Sequence, residues 1–136
     1  GRSMEAFANL VKKEVTEIGN IAIQANQFPR LSDFCVVYAQ SEALDLIRSK
    51  VPIEQVVAAY HYAIAKRIST LVARSGMKKD FVIIGGLAKN PGIIGWLESI
   101  LKVSSLAPKP EWDVTLTTSL GAALFADGFY RRALKN

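Results

Sequence analysis

The stretch from Asp80 to Leu101, DFVIIGGLAKNPGIIGWLESIL, leaves this chain few ways to fold. Phe81-Val82-Ile83-Ile84 is rich in residues that favour pleated backbone and predicts a buried strand. Gly85-Gly86 permits a sharp turn and lets a ligand come close to the backbone, because no Cβ stands in the way. Asn90 suits a helix N-cap, and Pro91 suits the first helical position, where a missing N–H costs nothing. Such a junction directs free backbone N–H groups and the positive end of a helix dipole at whatever binds above it. A nucleotide is one such ligand; an ordinary strand-to-helix turn of an α/β domain is the plain alternative.

The rest of the composition narrows the class. With 136 residues, 50% hydrophobic and 21% charged, the chain has the balance of a globular protein and the length of one domain. No apolar run approaches the ~20 residues needed to span a bilayer, and no signal peptide is visible, so no membrane partner is expected. The chain opens at Gly1-Arg2 without a methionine, and a natural N-terminus is not assumed. The net charge of +5 raises nucleic acid as a partner. The basic residues are scattered, however (Lys12-Lys13, Lys66-Arg67, Lys78-Lys79, Arg131-Arg132), with no aromatic residues interleaved for base stacking. No nucleic-acid partner is expected. One cysteine and one histidine cannot close a tetrahedral metal site within a single chain. Cys35, unable to form an internal disulfide, fits a reducing, cytoplasmic setting.

Helical periodicity runs from Ser3 to about Ala25, with Met4, Phe7, Val11, Val15, Ile18 and Ala22 on one face. Thr16 as an N-cap predicts a break near Val15-Thr16. Gln27 to Asp33 reads as a loop around Pro29, Phe34 to Tyr38 as a short extended piece, and Ser41 as the cap of a brief helix through Arg48. Pro52 begins the longest helix, with Gly76 as its stop and a stripe of Ile53, Val56, Val57, Tyr60, Ile64, Ile68, Leu71 and Val72. His61 falls off that stripe and is expected at the surface or an interface. The helix after Pro91 should bury Ile93, Ile94, Leu97, Ile100 and Leu101, with Trp96 on another face. Val103 to Leu106 predicts a second strand, followed by a proline-containing loop through Trp112. Val114 to Leu116 is ambiguous, and a last helix, rich in small residues, starts at Thr118-Ser119. Two or three strands are too few for a complete doubly wound sheet, so the pattern reads as part of a larger fold.

Three segments in order resemble one family. Cys35-Val36-Val37-Tyr38-Ala39-Gln40-Ser41-Glu42 is similar to the cysteine segment of the ATP-dependent activators of 2-hydroxyacyl-CoA dehydratases and benzoyl-CoA reductases. Gly85-Gly86-Leu87-Ala88-Lys89-Asn90-Pro91-Gly92 resembles their adenosine-contacting turn, and Ser119 to Leu124 their closing helix. Gly1 to Glu5 also resembles the start of the helix after the family's first cluster cysteine.

The resemblance implies an α/β chain: the helix-rich C-terminal half of an actin-, Hsp70- and sugar-kinase-like (ribonuclease H-like) ATPase fold. It implies that Gly85, Gly86, Leu87, Ala88, Lys89 and Asn90 contact ATP or ADP, bound with Mg²⁺. It implies that Cys35 ligates a 4Fe–4S cluster shared across a homodimer or a pair of similar subunits. Thiolates are the usual cluster ligands, and a two-fold axis assembles four from two chains; the plain alternative for Cys35 is a small buried hydrophobe. The expected partner is the dehydratase or reductase component that receives the electron. Cys35 matches the family's second cluster cysteine; the first and the phosphate-binding turns would lie upstream of Gly1, so this chain alone is not expected to hydrolyse ATP. Asp80 precedes its strand and cannot take over the Mg²⁺-water role. Gln40 stands where glutamate is expected, and Thr117-Thr118 replaces a small apolar approach to the last helix. Half of a related sugar kinase and a non-enzymatic ATPase-like subunit remain alternatives. The upstream sequence separates the first of these, and nucleotide titration the second.

Overall fold

A computed structural model describes residues 1–77, 80–107, 109 and 111–134; Lys78-Lys79, Pro108 and Pro110 of the features above lie outside the described residues. The helices are α1 (Arg2–Leu10), α2 (Ile18–Ala22), α3 (Val36–Arg48), α4 (Ile53–Arg74), α5 (Pro91–Leu101) and α6 (Thr117–Ala133), with a 3₁₀ turn at Gly86–Lys89 before α5.

Helix α4 is the spine. Pro52 sits at its N-cap, as expected, and Gly76 follows its end at φ +71°, a conformation glycine adopts without strain. Val56, Val57, Tyr60 and Ile64 are buried, as the apolar stripe predicts, but so are Ala58, Ala59, His61, Ala63 and Ala65. The helix is covered on several faces because α1, α2, α3 and α5 all surround it. Its alanines let those neighbours approach closely. The C-terminal turns leave the core, and Leu71 is 55% exposed.

Helix α1 docks through Met4, Phe7 and Ala8. The Phe7 ring lies against the Tyr60 ring, 3.8 Å between centroids and nearly parallel at 10°. The Tyr60 hydroxyl donates to the Ser3 carbonyl at 3.3 Å. The Gln40 amide of α3 donates to the Tyr60 hydroxyl at 3.3 Å and to the Ser3 carbonyl at 3.4 Å. Three helices thus share one polar junction beneath an aromatic stack. The break after α1 is longer than the spacing suggests: residues 11–17 form turns, Glu17 rather than Thr16 precedes α2, and Val15 is exposed.

Four expectations are corrected. Phe34 to Tyr38 is not extended, since α3 begins at Val36 and Cys35 is its N-cap residue at φ −135°, ψ 123°. Ser41 lies inside that helix. Burial of Ala39 and Ala43, with Val36 and Ile47 packed against the core, outweighs the β-branched and aromatic preference of the segment. Among the described residues no strand forms, neither at Phe81 to Ile84 nor at Val103 to Leu106. A strand needs a ladder, and these segments exchange one bond, from Leu106 N to the Phe81 carbonyl at 2.9 Å. Val82 and Ile84 are accordingly 48% and 47% exposed, and the α/β expectation is met in its helical part alone. His61 is fully buried rather than exposed.

Helix α6 stands apart. It begins at Thr117, one residue earlier than expected, and none of its residues is buried. Leu124, Phe125 and Phe129 are each about two-thirds exposed or more, at 65%, 74% and 66%. Its small residues do not pack against any other helix to a significant extent.

Candidate functional site

The Gly85-Gly86 turn is built from three local facts. Gly85 has φ +87°, which a residue with a side chain adopts at a strain cost, so this position needs glycine. A Cβ at Gly85 or Gly86 would meet no atom within 4 Å, so the turn faces open space. The turn is closed by Ala88 N donating to the Gly85 carbonyl at 3.0 Å and Asn90 N to the Leu87 carbonyl at 3.1 Å.

Asn90 caps α5 as its position predicts. Its Oδ1 accepts from Ile93 N at 3.0 Å, and Pro91 follows at the first helical position. The other end of its amide is engaged too: Nδ2 lies 3.1 Å from His61 Nε2. His61 Nδ1 lies 2.8 Å from the Val57 carbonyl. A carbonyl accepts only, so Nδ1 carries the proton and Nε2 accepts from Asn90. Burial lowers the imidazole pKa from 6.5 to about 4, against a smaller opposing effect of the Val57 carbonyl. His61 is therefore neutral at pH 7, the form in which Nε2 can accept from Asn90.

The crossing around this pair leaves no slack. A Cβ on Gly19 of α2 would fall 2.7 Å from Asn90 Oδ1 and from Pro91 Cδ. A Cβ on Gly92 would fall 2.8 Å from the Ala22 Cβ and 2.9 Å from His61 Cδ2. These two glycines are needed for close approach between helices, and no pattern in the sequence singled out either.

On its open side the turn borders a cavity of about 250 Å³. One wall is Gly86, Leu87, Lys89 and Asn90; the facing wall is Met4 and Glu5 of α1, with Val15 and Thr16 beside it. Four of the six residues expected at a nucleotide thus line this cavity and Gly85 adjoins it, while Ala88 lines a different cavity with Ile94 and Val114. The back of the turn is tied down by Gly85 N donating to the Val114 carbonyl at 2.9 Å and by Lys89 Nζ 3.0 Å from Asp113 Oδ1. Asp113, accepting from Thr115 N–H and lying beside Lys89, has its carboxyl held down to about 2.

Cys35 is not in that cavity. It sits half-buried ahead of α3, its thiol free, beside the exposed Phe34, Val37 and Tyr38. The preceding loop is clamped by Glu42, whose carboxylate accepts from Ser32 N at 2.6 Å and from Ser32 Oγ at 3.1 Å. Among the described residues no three His, Cys, Asp or Glu side chains converge on a metal site. A half-exposed thiol at the surface suits a cluster only as one donor among several. Among those residues, too, no helix is long and apolar enough to cross a membrane.

By fold the chain falls with the dehydratase activators. It superposes with a TM-score of 0.85 and 32% identity on the activator of the 2-hydroxyisocaproyl-CoA dehydratase from Clostridium difficile with bound ADPNP, covering 99% of this chain and 49% of that one. The chain belongs to the BadF/BadG/BcrA/BcrD ATPase family, whose profile matches residues 1–126. It is 34% identical over 127 residues to the 2-hydroxyisocaproyl-CoA dehydratase activator of Clostridioides difficile, covering 93% of this chain and 46% of that protein. It is 32% identical over 127 residues to the activator of lactoyl-CoA dehydratase of Anaerotignum propionicum, covering 93% and 48%. The chain spans about half the length of these curated relatives.

Proposed function

We propose that this chain is a single unit forming the adenosine-side, C-terminal half of an actin-like α/β ATPase. In this reading the whole protein is an iron–sulfur activator that uses ATP to drive an electron into a 2-hydroxyacyl-CoA dehydratase or benzoyl-CoA reductase. The observation that carries the reading is the cavity between the Gly86–Lys89 turn and α1, in a chain whose fold matches an activator with a bound ATP analogue. Adenosine would lie in that cavity against Gly86, with Lys89 and Asn90 at its edge. At about 250 Å³ the cavity falls below the ~300–1,000 Å³ of a complete small-molecule site, which suits half of a nucleotide cleft. Phosphate and Mg²⁺ would be handled by the other half of the cleft.

Cys35 would supply one thiolate of a 4Fe–4S cluster shared with a second copy or a similar subunit, and the cluster would carry the low-potential electron. The exposed Phe34, Val37 and Tyr38 around it would be covered by that second subunit.

Two substitutions in the full-length protein test these roles separately. Gly86→Ala adds a Cβ that meets no protein atom within 4 Å, so the melting temperature should hold while Mg·ADP affinity falls tenfold or more in calorimetry. Unchanged affinity would move the nucleotide away from this turn. Cys35→Ser should abolish the visible absorption gained on anaerobic iron–sulfur reconstitution; an unaltered spectrum would remove Cys35 from the ligand set.

A further inference from the structure

The two walls of the cavity are anchored by consecutive residues of one helix. Tyr60 and His61 are adjacent on α4, and both are fully buried. The Tyr60 hydroxyl holds the Ser3 carbonyl at 3.3 Å, one residue before Met4 and Glu5 of the α1 wall. His61 Nε2 holds Asn90 Nδ2 at 3.1 Å, at the end of the opposite wall. Neither side chain lines the cavity.

We propose that Tyr60 and His61 are positioning residues for the nucleotide, fixing the separation of the α1 wall from the Gly86–Asn90 wall. The inference rests on the reading that nucleotide binds between those walls. The geometry gives it content in two ways. Asn90 is boxed in, with Gly19 against its Oδ1 side and His61 on its Nδ2 side, so the start of α5 has one seat. Loss of the His61 acceptor leaves a buried amide donor unpaired, and the least costly response is for Asn90 to turn away and carry the turn with it. On the other wall, Tyr60 shares the Ser3 carbonyl with Gln40, whose amide lies at 3.4 Å. Removing the Tyr60 hydroxyl therefore loosens that wall without freeing it, and the larger effect belongs to His61.

The substitution His61→Met nearly keeps the volume and the burial of an apolar stem, and removes both the strong Nε2 acceptor for Asn90 and the Nδ1–H donor to the Val57 carbonyl, leaving a weakly accepting thioether. His61→Gln keeps an acceptor at similar reach. Tyr60→Phe keeps the ring stacked on Phe7 and removes the hydroxyl. Mg·ADP affinity would be measured by calorimetry on the full-length protein, at a temperature where circular dichroism shows each variant folded. His61→Met is expected to weaken binding about tenfold, Tyr60→Phe about threefold, and His61→Gln to stay within about threefold of the parent. A purely structural role lowers the melting temperature but leaves the affinity of the folded protein alone. Parent-like affinity in both His61→Met and Tyr60→Phe, or equal losses in His61→Met and His61→Gln, would overturn the inference while leaving the nucleotide reading standing. A parent protein that takes up no Mg·ADP would overturn that reading, and the inference with it.

Discussion

Replacing Phe7 by alanine is expected to destabilise the chain by about 4 kcal/mol, the cost of emptying a fully buried aromatic site. Phe7 has no exposed surface and lies flat on Tyr60 at 3.8 Å, so the vacated space is walled by a ring that is itself fixed. Tyr60 cannot follow into the gap without giving up its hydroxyl bond to Ser3. Helix α1 buries only Met4, Phe7 and Ala8, so the loss removes the largest of its three contacts. Urea unfolding followed by far-ultraviolet circular dichroism measures the change. A loss below about 1 kcal/mol would mean that α1 is not seated on α4 as described, because truncating a buried phenylalanine to alanine costs about 3–5 kcal/mol. Phe125→Ala on α6 is the natural control, since that ring is 74% exposed and has little packing to lose.

The second large effect is on the pH dependence of stability. His61 has a folded pKa of about 4 against 6.5 for an unhindered imidazole. Between those values the unfolded chain binds the extra proton, so stability rises with pH across the window. The contribution is complete above about pH 6.5 and is lost as the pH falls towards 4. Each pH unit across that window is worth about 1.36 kcal/mol, so the full contribution is ~3 kcal/mol, most of it gone by pH 4.5. His61 is the sole histidine, and Glu98 and Asp113, whose carboxyls are held below their ordinary values of 4.5 and 3.8, give up their contributions mainly below pH 4.5. Urea midpoints collected from pH 7 to pH 4.5 should therefore fall steadily in the parent and stay nearly flat in His61→Met. A parent curve as flat as the variant's would mean that the imidazole is not buried in its neutral form.

The sequence made some of this legible and hid the rest for identifiable reasons. Pro52, Gly76 and the Asn90-Pro91 pair announced helix boundaries because caps are local chemistry, decided by one or two residues. The Gly85-Gly86 turn was readable for the same reason. His61 was misplaced because a single apolar stripe suits a helix covered on one face, whereas α4 is covered on several. The signal was present in the run of Ala58, Ala59, Ala63 and Ala65, since small residues on every side of a helix mark approach from every side. Phe34 to Tyr38 looked extended by propensity, and only the spacing of Val36, Ala39, Ala43 and Ile47 argued for the helix that forms. Nothing local warned that strands would fail to form at Phe81 and Val103, because a ladder depends on neighbours that no local pattern specifies.

The crossing of α2 over the start of α5 has a mechanical meaning. At Gly19 and Gly92 the three helices meet with no space for even one further carbon atom. Packed interiors of this kind are nearly incompressible and pass strain on rather than absorb it. The crossing thus acts as a pinned joint. A push at the Gly86–Lys89 turn cannot be taken up between α2, α4 and α5. It must move them as one body, and α3 with Cys35 at its head is packed on the same spine.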